Sequence, residues 1–557
     1  MKSSSILTDV IFESDKTPLV LRLIAYIESL EKQNNVMQQV MEAYQTRITE
    51  LEEKYAQLMI ENKRLKKLPQ KPKTTPSTMD KEDKNDDDKG SSNANGDKDG
   101  NTKKKNKNHK TRSKNKNLVI HETKIITIDH LPEGAFIKDY QTTIIQDIKF
   151  EIHNIELKLA RYQLPDGTCI TAEKPSYYQG QFGPTLKSFI DILHYDGRVT
   201  QGRIYSLLTS LGVSLSTGQV SHLLNHDRDE FHTEKADLLS TGLACSDYIQ
   251  VDDTQAKHNG NNGYCLFIGN ENFSFFESTD SKNRLNFLSC LNQKSVSFVL
   301  NEAALAYCSH HKLPQKYLDR LGCERFDDLD AYLDYIASCG LTSEHHMRLM
   351  TEAALLDSFY DKGHLRNIKI LSDDAGQFSI SMNNALCWFH AERPLKKLVA
   401  VHPQNAQEIK ICLDQFWQIY ALLKAYKEAP NEDDRVVIET QFDQLCAVQT
   451  TSISLRSALG KLKSNRKKLL LVLDYPKLPL HNNLSENDIR EYVMRRKISG
   501  STRSEVGRMC RDTFVSLKKT CVKHGIRFWD FLIDRHMRHY TIPRLALLVK
   551  KKALACA

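Results

Sequence analysis

The chain has 557 residues, 27% of them charged, with 13 cysteines and a formal net charge of +8. At about 100–200 residues per domain, this length predicts roughly three to five structural units. No run reaches the ~18–20 apolar residues of a membrane span, and the first residues do not form a secretory signal, so we expect neither a membrane protein nor a secreted one. The cysteines form no CxxC pair, which argues against a disulfide framework and a zinc ribbon and favours a protein of the reducing cytoplasm.

The first predicted element is a coiled-coil helix over residues 20–68. Two series of mostly apolar residues each recur every seven positions, offset by three, as the a and d seam of a left-handed coiled coil does. The series are Ile27, Asn34, Met41, Ile48, Tyr55 and Asn62, and Leu30, Met37, Tyr44, Leu51, Leu58 and Leu65. We expect this helix to join copies of the chain into a homo-oligomer; the alternative is a long amphipathic helix packed on its own chain.

A charged linker follows over residues 69–117. It has almost no large apolar side chain, and an acidic cluster gives way to a lysine-rich end. Such a segment cannot bury a core and is predicted to be disordered. Its basic end either remains solvated or adds phosphate contacts that ignore DNA sequence.

Residues 118–170 predict a small β region, because apolar and polar residues alternate between turn signals. Residues 171–240 predict helices, two of which are separated by Gly212 and a short turn that ends at Ser216, a suitable N-cap. This layout is typical of a helix-turn-helix that reads DNA, although similar helix hairpins occur in folds that bind no DNA. The side chains expected near the groove are Thr217, Gln219, Ser221 and His222.

From residue 241 onward, strands and helices alternate, which predicts an α/β domain. Two apolar runs end in paired aspartates, Asp252–Asp253 and Asp373–Asp374, and Glu486 lies in the first turn of a later helix capped by Asn482 or Asn483. Carboxylates at two strand ends and on one helix can converge on a pair of divalent cations that flank a phosphodiester. Spacing alone proves nothing in a chain with 70 acidic residues.

Basic residues surround Glu486 along the sequence. The set comprises Arg490, Arg495, Arg496, Lys497, Arg503, Arg508 and Arg511. A carboxylate site next to such a strip suits docking of a DNA backbone, although structural ion pairs would explain the same pattern. A second basic segment, 461–468, is expected to be a solvated helix face.

These motifs resemble the insertion-sequence-66 family of DDE transposases. The family's NNxxExxxR motif followed by RK is similar to Asn482, Asn483, Glu486, Arg490, Arg496 and Lys497. Its Asp-acidic-Thr element resembles 252–254, and its Cys-Trp-x-His-Ala-x-Arg element resembles Cys387, Trp388, His390, Ala391 and Arg393. The stretch 180–216 is similar to the helical segment that precedes the catalytic core in this family.

The resemblance implies an RNase H-like mixed sheet flanked by helices, spanning 241–515, that cuts and joins DNA at the ends of its own element. By position, Asp252, Asp373 and Glu486 would be the catalytic and metal-binding triad, with Asp373 preferred to Asp374 and Asp253 as a neighbour. The resemblance assigns no role to Trp388, His390 and Arg393. The expected DNA contacts are Arg490, Arg495, Arg496, Lys497, Arg503, Thr217 and Gln219.

Two departures from the family pattern yield further expectations. Only Cys169 falls where relatives often carry a zinc segment, so no zinc is predicted. The separation of Asp252 from Asp373, 121 positions, is longer than the family pattern and predicts a helical insertion at about 300–365. A second helical insertion is expected at about 395–470, and a helical tail at 516–557.

The resulting hypothesis is a DNA transposase of a bacterial insertion sequence. It would bind transposon ends and target DNA, use two Mg²⁺ ions for which Mn²⁺ can substitute, and act at the nucleoid in the cytoplasm, with or without accessory proteins of the element. Two alternatives stay open: a non-catalytic or domesticated DNA-binding relative, and an RNase H-like nuclease that cleaves without joining.

Overall fold

The structure is a computed structural model that describes residues 17–67, 119–126, 130, 135, 137–178, 180–293, 297–361, 368–380, 383–400 and 402–556. The chain divides into two units, Met1–Lys66 with Glu156–Ala557, and Lys67–Ile155. The predicted disordered linker, 69–117, lies outside the described residues. None of the described helices combines the length and apolarity needed to cross a lipid bilayer.

A single helix, α1 (Pro18–Lys67), spans the predicted coiled-coil segment. Its 50 residues correspond to a length of about 75 Å at 1.5 Å per residue. The described apolar side chains of both heptad series are exposed, from Ile27 at 37% to Leu58 at 68%. Self-association through this seam stays a prediction.

The predicted β region is much smaller than expected. Its strands are one short antiparallel hairpin, β1 (Arg161–Gln163) and β2 (Cys169–Thr171), and the described residues between 119 and 160 form neither helix nor strand. Their apolar side chains lack a covering layer: Ile126 is 90% exposed and Ile145 is 83% exposed. Alternation alone does not stabilise a strand that has no apolar surface to pack on.

Helices occupy all of the stretches predicted between 171 and 240. They are α2 (Pro184–Asp191), extended by a π turn (Ile192–Asp196), α3 (Gln201–Ser210), α4 (Thr217–Asn225) and α5 (Asp229–Ala244). Gly212 adopts a φ of +93° at the end of α3, as a helix C-terminal glycine does. Ser216 and Gln219 form a reciprocal capping box at the start of α4.

The central sheet begins with an antiparallel meander, β3 (Tyr248–Gln255), β4 (Tyr264–Gly269) and β5 (Ser274–Thr279). The turn at 270–272 joins the last two strands where the sequence predicts it. Helix α6 (Arg284–Leu291) then leads out of the sheet.

The first insertion is mixed rather than purely helical, which corrects the prediction for 300–365. Its order is β6 (Phe298–Leu300), α7 (Glu302–His310), α8 (Gln315–Leu318), β7 (Glu324–Phe326), α9 (Leu329–Ser338) and α10 (Glu344–Asp361). Strands β6 and β7 pair antiparallel. Stacking of Phe298 on Tyr332 joins this pair to α9 in the main core.

Two parallel strands complete the sheet, β8 (Lys369–Ser372) and β9 (Asn384–Leu386). Strand β8 pairs with β3, placing Tyr248 opposite Lys369, and β9 pairs with β8. The sheet order is therefore β5-β4-β3-β8-β9. This five-strand mixed sheet with flanking helices confirms the predicted α/β class.

The second insertion is helical, as predicted, and has a hydrophobic core of its own. It follows α11 (Trp388–Lys396) and comprises α12 (Pro403–Glu428), α13 (Glu432–Cys446), α14 (Ile453–Ser464) and α15 (Arg466–Leu469). Phe416, Phe442 and Leu459 pack together with Trp388 in this core. The insertion is thereby anchored at the first residue of α11.

The last four helices are α16 (Asn483–Ser499), α17 (Glu505–Lys523), α18 (Phe528–His536) and α19 (Leu545–Cys556). Helix α17 packs on β5, where Asp512 accepts hydrogen bonds from Ser278. Helices α18 and α19 pack on α2 and α5, and Arg535 pairs with Glu234 in the interior at 2.9 Å. The predicted C-terminal tail is thus part of the folded body.

Candidate active site

Asp252 lies near the middle of β3, next to β8. Its pKa is raised from 3.8 to about 7, first by burial and then by the negative charges of Asp373, Asp253 and Glu486. A backbone hydrogen bond from the N–H of Asp253 to Oδ1, at 2.8 Å, opposes the rise. The structure therefore brings the three predicted acidic residues into electrostatic range of one another.

Asp373 follows β8 directly, and β8 runs parallel to β3, so both strands deliver a carboxylate toward the same end of the sheet. Its Oδ1 accepts a hydrogen bond from the N–H of Ala375 at 3.1 Å. Asp374 instead pairs with Lys461 on α14 at 2.8 Å and accepts a bond from Asn465. Asp374, unlike Asp373, is therefore engaged by residues of the second insertion.

Glu486 is carried by the first turn of α16, which is bonded to β3. The side chain of Asn482, just before the helix, donates to the carbonyl of Val251 at 3.1 Å, and the N–H of Ser485 donates to Gln250. These bonds fix the start of α16 beside Asp252. They also give Asn482, the first asparagine of the sequence motif, a structural role.

The described basic neighbours of Glu486 lie on α11 and do not include Arg490. His390 Nε2 lies 3.7 Å from its Oε1, and Arg393 Nη2 lies 3.6 Å from the same atom. Burial and the charge of Arg393 lower the pKa of His390. The two side chains to which the sequence assigned no role thus face the predicted acidic site.

Asp253 belongs to a second set of contacts. Lys282 lies 2.7 Å from its Oδ1, and Gln377 donates to its Oδ2. The pKa of Lys282 is raised by the carboxylates of Asp253, Asp373 and Asp252, against the opposing effect of burial. Sequence reasoning missed Lys282 and Gln377, since neither belongs to a recognisable motif.

The donor set fits a hard divalent cation. Three carboxylates offer only oxygen ligands, which Mg²⁺ prefers. The charges of Asp373, Asp253 and Glu486, which add to burial in raising the pKa of Asp252, are charges that a bound cation would neutralise. Over the described ranges, no three His, Cys, Asp or Glu side chains stand close enough to form a finished metal site.

The predicted basic strip divides into surface and interior residues. Arg490, Lys497 and Arg503 are exposed, while Arg496 is half-buried and donates to the carbonyl of Gln255. Arg495 is only 4% exposed, so its assignment to the DNA-binding surface is corrected.

The guanidinium of Arg495 lies over Tyr195 and donates to the carbonyl of His194. Burial and the charge of Arg511 lower the pKa of Arg495 to about 10. Arg511 is also buried, with its guanidinium over Tyr492.

The predicted groove-facing residues of α4 behave differently from one another. Thr217 is exposed in the first turn. The Oε1 of Gln219 accepts a hydrogen bond from the N–H of Ser216 at 2.7 Å, so its side chain folds back on the helix end. Reading of DNA by this helix stays a prediction.

Comparison with known proteins gives two matches. Residues 369–509 match the family model described as Transposase IS66 family, a segment that contains Asp373, His390 and Glu486 but not Asp252. The chain is also similar to an uncharacterized protein, y4jO, of Sinorhizobium fredii. The two are 38% identical over 322 residues, which is 57% of this chain and 100% of that protein.

Proposed function

We propose that this chain, which belongs to the IS66 family of transposases, binds the ends of an insertion sequence and carries out metal-dependent cleavage and strand transfer of DNA. The observation that carries the proposal is geometric: Asp252 on β3 and Asp373 after β8 lie on adjacent parallel strands, and hydrogen bonds to β3 fix the turn that carries Glu486. These residues lie more than 100 positions apart in the chain. An antiparallel meander followed by two parallel strands supports assignment of the core to the RNase H-like type.

In this proposal Asp252, Asp373 and Glu486 hold two Mg²⁺ ions, for which Mn²⁺ can substitute. Bound there, the ions would polarise the scissile phosphate and lower the pKa of the attacking water. The basic side chains Arg490, Arg496, Lys497 and Arg503 dock the DNA backbone through its phosphates. Cleavage frees a 3′ hydroxyl of the element, which then attacks the target strand without a covalent protein intermediate.

End recognition falls to the helical region. Helix α4 follows α3 after a short turn, and Thr217 is exposed in its first turn, whereas Val220 and Leu224 further along the helix are buried. That arrangement suits a helix whose N-terminal turn enters the major groove. The folded-back side chain of Gln219 would have to leave its capping position in order to contact a base.

Self-association through α1 is supported by the way the helix contacts its own chain. Glu53 is 3% exposed, and its Oε2 accepts hydrogen bonds from the backbone and hydroxyl of Ser454, the latter at 2.7 Å. Position 53 is an f position of the heptad, on the side opposite the seam. The helix therefore docks through its polar side and leaves the apolar seam for a second copy.

A specific observation favours a second candidate, a DNA-binding protein without catalysis. Within the described structure the three acidic residues are not gathered into a finished metal site. Such a protein would keep end binding and self-association, and would neither cleave nor join DNA.

Strand transfer on labelled duplexes that carry the ends of the element separates the candidates. We expect Mg²⁺-dependent nicking and joining by the wild type. Asp252→Ala, Asp373→Ala and Glu486→Ala should each reduce the rates of nicking and joining. Loss of a residue that only supports a metal ligand typically costs ~10–100-fold, and we expect a larger reduction here because the ligand itself is removed. Asp374→Asn, which alters a residue paired with Lys461, should keep activity.

Three results would oppose this proposal. A wild type that binds the ends but does not nick them in Mg²⁺ or Mn²⁺ favours the non-catalytic candidate. Nicking without joining favours a nuclease. Full activity of Glu486→Ala would remove that residue from the catalytic set.

A further inference from the structure

We propose that His390 and Arg393 are positioning residues for Glu486, and that the helical insertion at 395–470 supports α11 so that they can act. The inference rests on the proposed metal-dependent reaction. It gives a role to the Trp-x-His-x-x-Arg motif at 388–393 and to the insertion.

Both side chains reach one oxygen of one carboxylate. His390 and Arg393 are three residues apart on α11, so they project from the same side of the helix. Their nitrogens lie 3.7 Å and 3.6 Å from Oε1 of Glu486. Both described contacts are made to Oε1, and neither engages Oε2 of Glu486.

The beginnings of α11 and α16 are joined directly. The N–H of Trp388 donates to the carbonyl of Leu480 at 2.9 Å, and the N–H of Asn482 lies 3.3 Å from the sulfur of Cys387. The turn that carries Glu486 and the turn that carries His390 are therefore fixed to each other. A shift of α11 would be transmitted to the carboxylate.

The insertion fixes the other side of α11. Trp388 is 1% exposed, its ring packs on Phe416 and Phe442, and its Nε1 donates to the carbonyl of Leu469 at 3.1 Å. Its indole thus links α12, α13 and α15 to the first residue of α11. Packing of the insertion determines where His390 and Arg393 lie.

Positioning and simple electrostatics predict opposite effects on metal binding. If the two side chains acted only through charge, removal of Arg393 would tighten binding of a divalent cation, and removal of the neutral His390 would leave it unchanged. If they orient the carboxylate, their removal weakens binding, as loss of outer partners of metal ligands does. The sign of the change in cation affinity therefore distinguishes positioning from simple electrostatics.

The experiment measures Mn²⁺ binding to the full-length protein without DNA, by electron paramagnetic resonance. Asp252→Asn provides the blank for Mn²⁺ bound elsewhere. We expect His390→Ala and Arg393→Ala each to raise the Kd for Mn²⁺ by about tenfold, and Arg393→Lys to restore most of the affinity. In a Glu486→Gln background, Arg393→Ala should cause no further change.

The matched control is Lys396→Ala on the same helix. Lys396 is 65% exposed and pairs with Glu392 at 3.4 Å rather than with Glu486, so its loss should leave the Kd unchanged. Trp388→Phe retains an aromatic ring but removes the bond to Leu469, and should weaken Mn²⁺ binding by a few-fold. The melting temperature of each variant establishes that it is folded.

Each result has a definite meaning. Unchanged or tighter Mn²⁺ binding by folded Arg393→Ala and His390→Ala overturns the positioning role. An unchanged Kd for Trp388→Phe overturns the role given to the insertion. A wild type that binds no Mn²⁺ above the Asp252→Asn blank overturns the proposed metal site itself, and this inference with it.

Discussion

At the scale of single residues, Asp252 carries much of the electrostatic cost of the proposed site. Its pKa of about 7 arises from burial and from three neighbouring carboxylates. The folded protein binds this proton more tightly than the unfolded chain does, so the free energy of unfolding falls as pH rises between about 4 and 7. Above pH 7 the ionised Asp252 lowers the free energy of unfolding by its full amount.

Asp252→Asn should therefore stabilise the metal-free protein. An Asn side chain keeps the Oδ1 acceptor for the N–H of Asp253 and removes the charge. The gain should grow between pH 4 and 7 and level off on the order of 4 kcal/mol, at ~1.4 kcal/mol per pKa unit. Melting temperatures in EDTA across this pH range measure it, and added Mg²⁺ should reduce the difference by stabilising the wild type.

The control for this prediction is Asp374→Asn. Its carboxylate pairs with Lys461 at 2.8 Å, so removing the charge should bring no gain at pH 8. A stability gain of Asp252→Asn that does not vary with pH would contradict the raised pKa.

Asp373 and Asp374 show the limit of sequence-based prediction at the scale of single residues. Sequence reasoning located both Asp373 and Asp374 at the end of a strand, because the apolar run before them is easily recognised. It preferred Asp373 by position alone, since Lys461 and Asn465, which engage Asp374, lie about 90 positions further along the chain.

At the scale of elements, the basic residues of α16 and α17 occupy two environments, the solvent-exposed surface and the protein interior. Arg490 and Lys497, two helical turns apart, are exposed on α16, whereas Arg495 is buried against Tyr195. The sequence shows the same charge at each position. Burial of Arg495 depends on the π turn after α2, which supplies Tyr195 and the carbonyl of His194.

Substitution of Arg495 and of Arg503 should therefore have different effects. Arg495→Ala removes packing on Tyr195 and a hydrogen bond to a carbonyl, so we expect a loss of about 2–3 kcal/mol in stability. Arg503→Ala should keep stability and weaken DNA binding, reducing the slope of log affinity against log salt by about 1. Denaturant unfolding and salt-dependent DNA binding measure the two effects.

The outcome that would contradict this division is a stable Arg495→Ala protein with a reduced salt slope. That result would return Arg495 to the DNA-binding surface.

Strands were predictable at this scale only where they form part of a layered sheet. The runs that became β3, β4 and β5 lie in a sheet covered by helices such as α5 and α17. The alternating runs before residue 161 have similar local patterning, but their apolar residues, such as Ile148 and Phe150, stay exposed. Local β propensity is the same in both, and tertiary burial separates them.

At the scale of the whole molecule, the linear order of segments predicted domains better than it predicted contacts. The first insertion was expected from the separation of Asp252 and Asp373, but the β6–β7 pair within it was not. The C-terminal helices contact the helical region through Arg535 and Glu234, which are 301 positions apart. Pairings over such distances leave no periodic signal in the sequence.

Oligomeric state is the remaining property at this scale, and we expect the exposed seam of α1 to determine it. Leu30 is 45% exposed and Leu51 is 53% exposed, both at d positions, where a second helix would cover them. We expect the protein to sediment as an oligomer, and Leu30→Lys with Leu51→Lys to yield monomers because two charges per helix would be buried in the seam. Gln39→Lys adds the same charge at an exposed f position and should leave the mass unchanged. A monomeric wild type, or a double variant that keeps the wild-type mass, would show that the seam serves another purpose.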